Sequence, residues 1–505
     1  MFEVEAVGIV KRYGTLLAND RIDLAVERGA IHGVMGENGA GKTTLMSILY
    51  GLQTPDAGEI RLRGAPARFR SPLDAMAAGM GMVHQSFKLF SSFTVWENIV
   101  YGAEPRRGGA FIDRRMARSA VVELSQRHGL GVDPDATVGA LSVGVRQRIE
   151  ILKALYREAR ILILDEPTAV LTPQERDALF AVLRRLAVDG RAILLVTHKL
   201  HEVMAITDRV TVLRDGRVIA RLRTAETTPR EIVRAMTGRS VALGIEKARP
   251  RVGSSFLKIA AVTVAGGAGR PAVDRVSFNV RSGEIVGIAG VAGNGQSELV
   301  EAIVGLRRID GGSVQVCDVD VSHAGVQARR AAGIAYIPED RAAVGSALPA
   351  SAADNLALGF HRRPPLARRG VLNRPAIARR ARALIAKFAI KIPSERTLLG
   401  TLSGGNLQKV VVARELSHEA AVLIAEQPTR GLDVGATEFI HRQLVSERDH
   451  GRAVLLVSAE LSEILALSDR ILVMFEGRIL ADLAQAEATE GAVGFLMAGR
   501  EPEAA

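Results

Sequence analysis

ANDRIDLAVERGAIHGVMGENGAGKTT, residues Ala18 to Thr44, is the stretch on which the architecture turns. Its apolar run Ala30–Val34 leads straight into GENGAGKTT (Gly36–Thr44), which fits G-x-x-x-x-G-K-[ST]. Strand, glycine-rich turn and helix start follow one another as that motif requires. Gly39 and Gly41 let backbone N–H groups turn toward a phosphate, and the helix N-terminus adds its dipole. Lys42 supplies a point charge for the β- and γ-phosphates, and the Thr43 hydroxyl can ligate Mg²⁺. Asn38, Ala40 and Thr44 complete the stretch expected to hold nucleotide.

The same text recurs. Ala272 to Gly290 reads AVDRVSFNVRSGEIVGIAG, and Asp20, Gly29 and Gly36 match Asp274, Gly283 and Gly290 at a separation of 254. Later, Leu141, Pro167 and Gly238 match Leu402, Pro428 and Gly499 at 261. The period is far too long for a solenoid. It predicts two duplicated domains, 1–240 and 256–505, joined by a linker over 241–255. The seven extra residues of the second copy are expected as a surface insertion at HRRPPLARRG (His361–Gly370). Apolar strands alternate with helical patterns in each copy, as in a doubly wound parallel sheet. Ile161–Leu164 and Ala192–Val196, with Val422–Ala425 and Ala453–Val457, read as its buried strands. Such a sheet binds ligands at the carboxyl ends of its strands.

Composition narrows the classes. The 505 residues are 48% apolar and 24% charged, which is globular and not disordered. The lone Cys317 excludes a disulfide framework or a multi-thiolate zinc site. No apolar run is long enough to span a bilayer, and MFEVEAVGIV lacks a basic signal-peptide region, so a soluble intracellular chain is expected. The net charge of +11 points toward polyanions, yet only 4% of residues are aromatic, without the basic–aromatic interleaving of single-strand binders.

ILILDEP places Asp165 and Glu166 at a strand end. Two acids there suit a solvated turn; beside a phosphate loop they better suit one metal-orienting acid and one base for water. His198, after AILLVT, and Gln85, in GMVHQSF, are each by themselves more readily structural.

Taken in order, Gly36–Thr44, Gln85, LSVGVRQ (Leu141–Gln147), ILILDEP and His198 resemble an ATP-binding cassette. LSGGNLQK (Leu402–Lys409) is similar to that family's signature loop. The resemblance spans essentially the whole chain. It implies two ABC-type P-loop NTPase domains of α/β class, each a doubly wound, mainly parallel sheet with a helical subdomain and an antiparallel β subdomain. It also implies that Tyr13 stacks on adenine and that Gln85 senses metal and γ-phosphate. Glu166 would polarise the attacking water, and His198 would hold the γ-phosphate. ATP and Mg²⁺ are the implied cofactors, with Thr43, Gln85 and Asp165 around the metal. Cassettes of this kind pair head to tail, each ATP between one phosphate loop and the other signature.

The copies are unequal. In the second, Tyr13, Lys42, Gln85, Glu166 and His198 become Gly267, Gln296, Glu339, Gln427 and Ala459. Its loop keeps Gly290, Gly293, Gly295 and Ser297, and Glu426 replaces Asp165 as an acid still able to orient a metal-bound water. The signatures degrade the other way: Ser403, Gly404, Gly405 and Asn406 are intact, whereas the first copy has Ser142, Val143 and Gly144. The acid after the strand is Asp433 in the second copy, where the first copy has Thr172. One competent composite site is therefore expected, from the first phosphate loop and the second signature.

Three classes compete: a transporter subunit, a ribosome-binding tandem cassette and a DNA-repair cassette. Ribosome-bound tandem cassettes resemble chains with two intact sites and a long charged linker, and repair types carry zinc modules; neither fits. MTGR (Met236–Arg239) and MAGR (Met497–Arg500) resemble ATPases of bacterial importers for monosaccharides and nucleosides. HQSFKLFSSFTVWENI (His84–Ile99) and GVAGNGQSEL (Gly290–Leu299) favour the nucleoside branch, with ribose or xylose import as the alternative. The resemblance implies two integral membrane permease subunits, an extracytoplasmic solute-binding lipoprotein, no nucleic-acid partner, and a peripheral position on the cytoplasmic face of the inner membrane. Ser86–Val100, with Trp96 in its middle, is either the docking face for a permease or part of the helical core. His361–Gly370 is read as a solvated insertion rather than a lipid contact.

Overall fold

A computed structural model describes residues 2–84, 87–107, 111–168, 171–238, 247–267, 270–291 and 293–499. The chain divides into two compact units, Met1–Val241 and Ala242–Ala505.

In the first unit a six-stranded sheet runs Arg217–Arg223, Arg209–Arg214, Ile31–Gly36, Ala192–Val196, Ile161–Asp165, Met80–Val83. All pairings are parallel except the terminal hairpin Arg209–Arg214/Arg217–Arg223. Every residue of Ile31–Gly36, Ile161–Asp165 and Ala192–Val196 is buried, which is why these strands read as unbroken apolar runs. A second, antiparallel sheet joins Leu16–Glu27, Phe2–Tyr13, Ala57–Leu62 and Ala65–Ala67. Helices Val95–Val100, Arg114–His128 and Val143–Tyr156 pack around Ile99, Val121, Ile149 and Leu152 as a helical region.

The second unit repeats this plan. Its sheet runs Ile334–Ile337, Val422–Glu426, Ala453–Ser458, Glu284–Ala289, Arg470–Phe475, Arg478–Ala484. Pro271–Arg281, Ser255–Ala265, Gly311–Val316 and Val319–Asp320 form its antiparallel sheet.

Two expectations change. The seven surplus residues do not lie together at His361–Gly370. Helices Val95–Val100 and Ala352–Ala357 are capped by Thr94 and Ser351, which are 257 apart, so three of the seven precede that helix. The following hairpins start at Arg106 and Ala367, 261 apart, which places the other four after it. Nor is the stretch wholly solvated: Leu366 and Ala367 are buried with Phe360, Ala376 and Ile377 in a small satellite core. The stretch from Lys247, expected as linker, is fastened to the second unit. Lys247 Nζ donates to Leu467 O (2.9 Å), Ser468 O (2.6 Å) and Asp469 Oδ1 (3.1 Å), and the fully buried Arg448 donates to Ala248 O (3.0 Å).

Candidate functional site

The phosphate loop of the first unit leaves the central strand at Gly36 and enters helix Lys42–Leu49. Gly41 caps that helix with φ 95°, where a Cβ would sit 2.3 Å from Ala18 O and 2.5 Å from Asn19 Nδ2. Glycine is therefore demanded twice, by backbone conformation and by space. Gly39 is also left-handed (φ 83°), but nothing lies within 4 Å of a Cβ there. Asn38 and Gly39 are exposed, Ala40 is buried, and Thr43 and Thr44 open the helix with Thr43 at the surface. The buried Lys42 donates Nζ to Gly36 O (2.7 Å) and Glu37 O (3.0 Å). Burial lowers its pKa, and the charges of Glu166, Asp165 and Glu37 oppose that shift.

Asp165 ends its strand one position before Glu166. Burial and the Glu166 charge push its carboxyl up to about 6, against Lys42. The set Thr43 hydroxyl plus Asp165 carboxylate is the hard-oxygen chemistry that Mg²⁺ takes, so the residues fit the metal that the resemblance implies. Glu166 is held at φ 48°, a conformation rare for a residue with a side chain, with its N–H on Val196 O at 2.8 Å. Its Oε1 lies 2.8 Å from His198 Nδ1. Burial pushes Glu166 up, but the hydrogen bond and charge of His198, with Lys42 and Lys199, outweigh it and leave the group below its ordinary value. An ionised carboxylate beside a phosphate loop, oriented by a histidine, can polarise a water.

The second unit keeps the scaffold and carries other side chains at these positions. Gln296 stands where Lys42 does and donates Nε2 to Val291 O (3.1 Å). Gln427 repeats the strained backbone (φ 45°), yet its Oε1 accepts the Ala459 N–H at 3.1 Å. Glu426 ends the strand Val422–Glu426, as Asp165 ends its own in the first unit. Its Oε2 accepts the Tyr336 hydroxyl at 2.6 Å, and Ser297 bonds the same carboxylate. Tyr336 occupies the position of Met82, whose side chain carries no hydroxyl. Glu339 is drawn into an ion pair with Arg430. Gly290, Gly293 and Gly295 retain the loop, with φ 91° and 101° at the last two.

Residues 19–169 and 273–430 match the ABC transporter family. The chain belongs to that family.

Among relatives of this ABC transporter chain, the guanosine import ATP-binding protein NupO of Bacillus subtilis is 46% identical, over 99% of this chain and 98% of its own. The nucleoside import ATP-binding protein NupA of Lactococcus lactis is 43% identical, over 98% of each. A ribose import ATP-binding protein of Rubrobacter xylanophilus is 42% identical, over 99% and 98%. The crystallised archaeal ribosome recycling factor, bound to a ribosomal stalk protein, aligns with a TM-score of 0.61 over 94% of this chain and 90% of that chain. At 20% identity it shows the shared fold alone.

The signature of the second unit opens helix Gly404–Leu416, where Ser403 is the N-cap and accepts from Asn406 N and Nδ2. A Cβ on Gly405 would be 3.6 Å from Asp433 Oδ2, and Asp433 caps helix Val434–Asp449 through Ala436 N at 2.7 Å. In the first unit Ser142 caps helix Val143–Tyr156 without a side-chain bond. There Gly144 lies against Glu175, whose Oε1 a Cβ would approach to 2.1 Å, and Thr172 and Glu175 form a capping box. Tyr13 is exposed, its hydroxyl donating to Gln53 and its ring 5.9 Å below Lys11 Nζ. Gly267 leaves open space at the matching point. Gln85 and Ser86 lie outside the described residues. Trp96 is half-buried against the helical core, while Phe90 and Tyr101 nearby are exposed with ring centroids 5.0 Å apart.

Three residues escaped the sequence reading. Asn19, fully buried, donates Nδ2 to Gly41 O (3.1 Å) and holds the loop; its counterpart is Val273. Buried Glu202 ties the strand end to the His198 loop by accepting from Thr168 and from Thr197 Oγ1 (3.1 Å). Its counterpart Glu463, kept in both copies, was the signal available. Tyr336 carried none, because only the strand pairing brings it to Glu426.

Proposed function

We propose that this chain is the ATP-binding and ATP-hydrolysing subunit of an importer that takes up nucleosides through separate permease subunits. The observation carrying the ATPase reading is the first unit's constellation: Lys42 in the loop, Asp165 and Glu166 at the next strand end but one, and His198 on Glu166. Lys42 draws the phosphates in, Glu166 orients and polarises water, and His198 keeps Glu166 ionised and aimed. Thr43 and Asp165, with Gln85, would hold Mg²⁺, which would supply positive charge against the phosphates.

The second unit holds nucleotide weakly and scarcely hydrolyses it. Losing a general base costs ~10²–10⁴ in rate, and losing a charge-assisted contact costs roughly 1.5–3 kcal/mol. Hydrolysis belongs to the first unit's phosphate loop with Glu166 and His198, and the second unit's loop is the degenerate one. Tyr13 stacks on adenine, and Gln85 reads metal and γ-phosphate.

Nucleosides are favoured as solute by the full-length likeness to NupO and NupA. The relative named for ribose import supports a sugar as the second reading. Two permease subunits and a solute-binding lipoprotein complete the system, with this chain peripheral on the cytoplasmic face and Ser86–Val100 against a permease. Among the described residues no helix is long and apolar enough to cross a membrane. The experiment is uptake of labelled nucleosides, ribose and xylose in cells carrying Lys42→Ala. Selective loss of nucleoside uptake supports the proposal; loss of sugar uptake alone replaces the solute.

A further inference from the structure

Residues 355–394 contain ten arginines and lysines and no aspartate or glutamate. The rest of the chain holds 56 cations against 55 acids, so nearly all of the net charge of +11 lies in this one stretch. The equivalent stretch of the first unit, 98–133, has six arginines against four acids. The charge is therefore a local property of the second unit's helical region and not a bias of the whole chain.

Structure turns that charge outward. Ala367–Arg368 and Val371–Leu372 form a tight hairpin whose two-residue turn, Arg369–Gly370, has φ 51° and 84°. Positive φ at both turn residues matches the twist of a two-residue hairpin. The hairpin is planted by Leu366 in the satellite core with Phe360 and Ile377, and by Asn373 N donating to Leu366 O at 2.8 Å. Half-buried Arg380 braces that core from below, 4.8 Å over the Phe360 ring, and Arg374 pairs with Asp354. By contrast Arg362, Arg363, Arg368, Arg369, Arg379 and Arg382 are exposed, and among the described residues no carboxylate reaches any of them. At the tip Val371 is 72% and Leu372 39% exposed.

We propose that this face binds the anionic headgroup surface of a membrane directly, with the hairpin tip at its centre. Guanidinium groups meet lipid phosphates, and Val371 and Leu372 enter the boundary of the acyl region, a division of labour suited to an interfacial element. Single-stranded nucleic acid is the poorer match. Its bases need aromatic platforms, and the two aromatic residues of the stretch, Phe360 and Phe388, are both buried. The inference does not depend on the solute or on which ATP site works.

The test is sedimentation of the full chain with vesicles of phosphatidylcholine, alone or mixed with phosphatidylglycerol, at low and high salt. Binding to the mixed vesicles only, weakening with salt, is expected. Each cation near such a surface is worth about fivefold in partitioning, so R362Q/R363Q/R368Q/R369Q lowers binding roughly 10²-fold or more. That variant keeps wild-type ATP hydrolysis, which shows it folded. R106Q/R107Q/R114Q/R115Q in the first unit serves as control and retains binding. Equal binding to neutral vesicles, no loss in the second-unit variant, or equal loss in both variants overturns the proposal. So does an RNA oligonucleotide held more tightly than the mixed vesicles.

Discussion

His198 Nδ1 stands 2.8 Å from Glu166 Oε1, whereas the matching Gln427 Oε1 in the second unit is taken by the backbone N–H of Ala459. The same strained turn thus presents an oriented carboxylate in one unit and a neutral amide, already bonded, in the other. His198→Ala should lower ATP hydrolysis by ~10–10²-fold, the worth of one charge-assisted contact, while nucleotide binding persists. Single-turnover hydrolysis beside equilibrium binding separates the two effects.

Tyr336 predicts how the second unit treats metal. With its hydroxyl and Ser297 both on Glu426, nucleotide binding there should be insensitive to Mg²⁺. Measured in a Lys42→Ala background, affinity for a fluorescent nucleotide should be equal with and without Mg²⁺. Tyr336→Met, which restores the first unit's residue, should make Mg²⁺ strengthen binding. Strong Mg²⁺ dependence before that change would contradict this account.

Two glycines of the loop should answer differently. Gly39→Ala meets open space and carries only the left-handed backbone penalty, about 1–2 kcal/mol. Gly41→Ala adds a Cβ 2.3 Å from Ala18 O and must displace the loop, so it should cost more stability and abolish nucleotide binding. Thermal melts with and without ATP distinguish the pair.

His32 makes the first unit acid-sensitive. It is buried in the central strand, bonded to Thr211 Oγ1 at 2.8 Å, and burial, with Arg209 and Arg221, lowers its pKa from 6.5 to about 4. A depressed histidine leaves stability intact above pH 6.5 and removes it as pH falls toward 4. The loss should reach about 3 kcal/mol. The second unit has Val286 there, so acid should unfold the first unit first. Melting temperature against pH, with His32→Gln flattening the drop, checks this.

The duplicated plan and the phosphate loop were legible because glycine spacing and fully buried strands leave one-dimensional traces. Ile161–Asp165 and Ala192–Val196 are buried on both faces and so read as apolar runs. What stayed hidden depends on pairing across the sheet. Tyr336 meets Glu426 because Ile334–Ile337 lies parallel to Val422–Glu426 with Tyr336 opposite Ile424. The basic stretch His361–Gly370 looked solvated because proline and arginine mask Leu366, whose burial needs Ile377 from the next helix. Lys247 looked like linker because its partners, Leu467 to Asp469, lie more than two hundred residues away.

Steady-state ATP hydrolysis of Glu166→Gln, measured beside Gln427→Glu, bears most directly on the claim that one site per chain works. A single working site predicts a ~10²–10⁴-fold loss in the first variant. It predicts no gain in the second, where Gln296, Tyr336 and Ala459 still stand. Near-normal hydrolysis by Glu166→Gln would contradict it.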